Sequence, residues 1–166
     1  MKLNKSILVS IVIIVLSSCS CAINLAEQPS IATPAIGKDI QIGKYLEVTA
    51  PKGWNSFKTD DSISLEVRNV SEGQITFGPD FGARIFVLSD QGWTEVKNKI
   101  TYKNDPVTLG PTENYDPLKT GATIVQPELL DSSVPYDIRI FLVGDLIENG
   151  KESSKVSSYI DLKLNP

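Results

Sequence analysis

The chain has 166 residues, with 16 basic and 20 acidic side chains, a formal net charge of −4 and no histidine. The acidic balance argues against nucleic acid, which is held by a basic face. The missing histidine removes Ser-His-Asp and Cys-His nucleophilic systems and the common zinc sites.

The first stretch reads MKLNKSILVSIVIIVLSSCSC. Lys2 and Lys5 form a positive start, and Ile7 to Leu16 is an apolar run of ten residues broken only by Ser10. A spanning helix needs roughly 20 apolar residues, whereas the apolar region of a signal peptide needs about 7–15. Leu16-Ser17-Ser18-Cys19 resembles the lipobox of bacterial lipoproteins. That resemblance implies cleavage before Cys19 and a diacylglycerol on its sulfur, with Cys21 as a weaker second candidate. Two acyl chains make a lasting anchor where one is marginal. The expected organisation is a signal peptide over 1–18, a lipidated tether over 19–43 and one domain over 44–166. Removing 1–18 takes away Lys2 and Lys5, leaving 14 basic against 20 acidic side chains. The membrane contact is then expected from the lipid alone, on the extracytoplasmic face. The two cysteines, Cys19 and Cys21, both precede the expected domain, so its stability must come from apolar burial.

Ala22 to Gly43 mixes Pro29, Pro34 and Gly37 with small and polar residues and keeps no period; its end, Ile40 to Ile42, is open to an edge strand. Lys44 to Pro51 reads as a first short strand. Asp61 to Val70 alternates most clearly, with Ile63, Leu65 and Val67 on one face and Ser64, Glu66 and Arg68 on the other, the period of a half-buried strand. Strands are also expected at Gln74–Phe77, Ala83–Leu88 and Trp93–Val96, with turns at Gly78–Gly82 and Asp90–Gly92. Asn98 to Asp116 predicts short strand fragments in long loops. Ala122–Gln126 is a further strand, and Pro127–Leu130 is open to one helical turn. Tyr136–Val143 predicts a strong strand, Gly144–Lys155 a polar loop, and Val156–Leu164 the closing strand.

Seven to nine short strands without helices predict an all-β, antiparallel β-sandwich. YDIRIFLV, a polar loop and VSSYIDLKL resemble the last two strands of fibronectin type III and other immunoglobulin-like domains, and ISLEVRNVS their second strand. The resemblance places Tyr136 at the tyrosine corner, whose hydroxyl bonds upstream backbone. It covers about a third of the domain and lacks the inter-sheet cysteine pair.

The chain offers little chemistry. It has no Gly-rich phosphate loop, no Ser-x-x-Lys and no Gly-x-Ser-x-Gly. Nothing among its acidic residues selects a catalytic pair. Asp60, Asp61, Asp80, Asp90 and Asp105 fall in expected loops without calcium spacing, and read as turn residues. No enzyme activity, metal or cofactor is expected. Asn69-Val70-Ser71 matches a glycosylation sequon and reads as coincidence. Trp54 and Trp93 are the candidate binding residues. They serve either core packing or a surface role, stacking on sugars or anchoring a protein partner, with Tyr45, Tyr102, Tyr115 and Tyr159 available to extend a patch. The expected function is a membrane-anchored, non-catalytic binding or assembly module for a protein or envelope polymer. A carbohydrate-binding accessory domain and a purely structural envelope protein are the alternatives.

Overall fold

The computed structural model describes residues 32–51, 54–102, 105–111 and 120–166; the expected signal peptide, Cys19, Cys21 and the tether up to residue 31 lie outside them. Among the described residues eleven strands form and no helix. They are β1 (Ile40–Ile42), β2 (Leu46–Thr49), β3 (Ser56–Lys58), β4 (Ile63–Asn69), β5 (Gln74–Phe77), β6 (Arg84–Ser89), β7 (Gly92–Val96), β8 (Val107–Leu109), β9 (Thr120–Val125), β10 (Tyr136–Glu148) and β11 (Lys151–Asn165).

The β10–β11 hairpin is the spine. Its register runs from Tyr136 opposite Leu164 to Glu148 opposite Lys151. The expected loop over Gly144–Lys155 is therefore corrected: the strands continue through it, with a bulge at Ser153 opposite Leu146 and Ile147, and Asn149 and Gly150 form the turn. Their φ angles of 52° and 74° are the left-handed pair of a two-residue type I′ turn. Gly144 had suggested a loop but is a packing glycine. A Cβ there would lie 2.7 Å from Ile75 Cγ2 and 2.9 Å from Phe77 Cδ1, the close approach that a glycine in a strand often marks.

The free edges of the spine are each shared by two short strands placed end to end. β5 and β6 line β10, and carry β8 and β7 in turn. β1 and β3 line β11, both parallel to it. The second sheet is β2-β4-β9. In β4 the alternation holds residue by residue, with Ile63, Leu65 and Val67 buried and Ser64, Glu66 and Arg68 exposed. These residues meet Ile75, Phe77, Ile85, Ile138, Ile140, Leu142 and Leu164 of the large sheet in one apolar cluster. The result is an all-β, sandwich-like fold of two facing sheets. Truncating a core residue such as Leu65 or Ile140 to alanine is worth ~2–5 kcal/mol.

Three further details differ from or refine the sequence reading. β3 and β8, three residues each, carry too little sequence to show a period. Pro127–Leu130 makes no helical turn, because Pro127 bridges to Asn98. The Tyr136 hydroxyl donates to the Asp131 carbonyl at 2.8 Å, the upstream backbone bond that the resemblance implied.

Candidate functional site

Cross-strand register builds a ladder of aromatic and arginine side chains on the face of the large sheet turned away from the small one. Phe86 lies opposite Arg139, and Arg139 opposite Asp161. In the next row Arg84 lies opposite Phe141, and Phe141 opposite Tyr159. The Arg139 guanidinium donates to both oxygens of Asp161, at 2.6 and 2.7 Å, and lies 5.0 Å from the Trp93 ring and 4.3 Å from the Tyr159 ring. Arg84 grips Glu95 in the same two-pronged way, both at 2.7 Å. That hydrogen bond holds the Glu95 carboxyl below its ordinary range and raises Arg84. The bond to Asp161 raises Arg139 likewise. The planar guanidinium suits both tasks, forking to a carboxylate while stacking on a ring. Glu95 and Asp161 are about half exposed, and solvent screening holds such pairs to on the order of 1 kcal/mol each, so the ion pairs position groups more than they stabilise the fold.

Residues 32–37 cross this face. Pro34 and Ile36 are buried, and Ile36 packs with Phe86 and Phe141 in a small second core that Ile40, Trp93 and Val143 border. Arg84 donates to the Ile36 carbonyl at 2.6 Å, and Arg139 reaches Thr33 Oγ1 at 3.4 Å. The part of the expected tether between residue 32 and β1 is therefore laid along the domain. Its isolated apolar residues show no period because their partners belong to a distant sheet.

Neither tryptophan packs between the sheets. Trp54 is 59% exposed and makes a T-shaped contact with Phe57 at 5.7 Å. Trp93 is half-buried beside the ladder, with its Nε1 buried and without a hydrogen-bond partner among the described residues. Each indole lines a depression. The one at Trp93, of about 410 Å³, also takes in Ser56, Asp137 and Lys163. The one at Trp54, of about 440 Å³, also takes in Pro51 and Ile160. The two meet at Asn55, Asp161 and Leu162. The two tryptophans therefore bracket one strip that crosses β11, with Trp93 on β7 beyond β6 and β10 and Trp54 in the loop before β3.

The expected aromatic patch is only partly assembled. Tyr159 joins Trp93 through Arg139. Tyr45 instead sits beside the Lys44 ammonium at 4.4 Å. The Tyr102 hydroxyl donates to the Ile124 carbonyl at 2.5 Å and accepts from the Ile124 N–H at 2.7 Å, capping an open edge of β9. Tyr115 lies outside the described residues. Among the described residues no group of three or more His, Cys, Asp or Glu side chains comes together as a metal site. Asp61 is used locally, accepting the Lys58 N–H at 2.8 Å.

No protein-family model matches the chain, and no curated protein matches it. Among solved structures, the crystal structure of Spo0M, a sporulation control protein from Bacillus subtilis, is similar at a TM-score of 0.37 and 9% identity. The match covers 74% of this chain and 50% of that one, so this chain spans half the length of that protein.

Proposed function

We propose that the protein is a non-catalytic binding module, held on the extracytoplasmic face of a membrane by a lipid on Cys19. The anchor rests on the Lys2 and Lys5 start, the ten-residue apolar run and Leu16-Ser17-Ser18-Cys19. From Cys19 to residue 32 the chain reaches at most ~45 Å, which keeps the domain close to the membrane surface.

We infer further that the domain is immunoglobulin-like. Several features support this. β2-β4-β9 corresponds to strands A, B and E, and β11-β10-β6-β7 to G, F, C and C′. The Tyr136–Asp131 bond fits the tyrosine corner. Two features depart from the pattern: strand C is divided between β5 and β6, and the inter-sheet disulfide is missing.

The observation that carries the binding role is Trp54, a large apolar side chain 59% exposed at the mouth of a strip that a second tryptophan bounds. Exposed aromatics of this kind anchor partners in binding surfaces. The partner class is a protein or an envelope polymer.

The test compares wild type, Cys19→Ser, Trp54→Ala and Glu66→Ala in a bacterial host, Glu66 lying on the outer face of the opposite sheet. Cys19→Ser is expected in the soluble exported fraction, still folded. Purified Trp54→Ala is expected to be retained several-fold less on isolated envelope material, while Glu66→Ala matches wild type. Cys19→Ser in the membrane pellet would remove the anchor; equal retention of Trp54→Ala and wild type would remove the binding surface.

A further inference from the structure

We infer that the strip between Trp54 and Trp93 binds an uncharged polysaccharide chain. This rests on the reading of the protein as a binding module and names its ligand. An extended sugar polymer presents alternating C–H faces and hydroxyl edges. It therefore asks for aromatic surfaces set apart, with small polar groups between them that both donate and accept.

The strip supplies these. Trp54 offers an open indole, since its contact with Phe57 leaves more than half of the residue exposed. Asn55 and Ser56 follow it directly in sequence and are exposed. The Asn55 amide provides two donors and an acceptor, and the Ser56 hydroxyl provides one donor with acceptor capacity. Each oxygen of Asp161 takes one bond from Arg139 and keeps acceptor capacity for a hydroxyl. Trp93 closes the far side, fixed by the arginine stacked on it. Both depressions fall within the ~300–1,000 Å³ of ordinary ligand sites.

The charge pattern selects a neutral polymer. Asp161 is matched by Arg139 at 2.6 Å and Asp137 by Lys163 at 3.7 Å, so the strip carries no surplus cation for a phosphate or uronate. The chain as a whole carries −4 and repels polyanions. β1 and β3 occupy the two ends of the outer β11 edge, at Lys155–Ser157 and Lys163–Asn165, so a peptide added as a strand would find only the short stretch 158–162 between them, where the Trp54 depression lies.

The chain has two tryptophans, Trp54 and Trp93, so indole fluorescence reports this strip directly. The full chain in detergent micelles is titrated with chitohexaose, cellohexaose and xylohexaose, and with oligogalacturonate as the anionic counterpart. At least one neutral hexasaccharide is expected to give a saturable spectral change that persists at high salt, because an uncharged ligand is not screened. Trp54→Ala is expected to weaken it at least about tenfold. Trp93→Phe keeps the ring packing and is expected to leave binding that Trp54 alone still reports. Tighter binding of the anionic oligomer, lost at high salt, would overturn the proposal. So would the failure of every neutral oligomer while envelope retention still depends on Trp54; the binding-module reading would then stand with a different ligand. If neither oligomer binding nor Trp54-dependent retention is seen, both fall together.

Discussion

Asn69 shows how much one side chain can hold without contributing to any site. It is fully buried, and its amide donates to the Gly73 and Gly110 carbonyls at 2.8 and 2.7 Å. Its Oδ1 accepts the Ser71 N–H at 2.9 Å and the Ser71 hydroxyl at 2.7 Å. As a sequence, Asn69-Val70-Ser71 shows only a sequon; folded, it is the knot that ties the β4–β5 turn to the end of β8. An unsatisfied buried polar group costs about 1–3 kcal/mol. Asn69→Ala orphans more than one, and is expected to lower unfolding free energy by on the order of 3 kcal/mol in urea titrations. A loss below about 1 kcal/mol would mean that water replaces the amide and the knot is not structural. Trp54 and Trp93 illustrate the opposite difficulty at this scale. An indole in a short strand or loop is equally suited to core and surface, and only the face on which its strand lies decides.

At the scale of elements, β4 was legible because one face is dry and the other wet, and β10 because Ile138, Ile140 and Leu142 alternate with less apolar neighbours even though Phe141 is buried on the other face. Legibility failed where a strand is covered on both faces or is polar along one stretch. The Gly144–Lys155 segment failed for the second reason: glycine, aspartate and lysine there serve close packing and exposed pairs such as Asp145–Lys155 at 2.6 Å. Gly144→Val separates the two readings. In a loop it would be neutral, and by strand propensity alone it would stabilise. Against Ile75 and Phe77 the added side chain is overpacked, and a loss of ~1–3 kcal/mol is expected, read as a lowered thermal midpoint. An unchanged midpoint would show that the β5–β10 contact is looser than described.

For the molecule as a whole, the decisive contact is between residues 32–42 and a sheet whose central strands come about a hundred residues later. A domain drawn from the sequence begins at Lys44; the folded one includes Pro34, Ile36 and β1. A chain starting at Lys44 loses Ile36 and Ile40 and uncovers Phe86 and Phe141. Burying an aliphatic side chain is worth about 1.5–3 kcal/mol. The Lys44 chain is therefore expected to be less stable than one starting at residue 32 by about 3 kcal/mol. Matching denaturation midpoints would show that the segment lies on the sheet without supporting it.

By itself the sequence determined the all-β class and the positions of the amphipathic strands, and it raised the expectation of a lipid anchor at Cys19. These follow from composition and from local periodicity, which act over a few residues. The pairing of β1 and β3 with β11, the Arg139 stack, the second core beneath Ile36 and the convergence of Trp54 and Trp93 on one strip were decided only by the tertiary structure. Each depends on contacts between segments far apart in the chain, and for the paired strands among them a shift of one residue reverses every side chain.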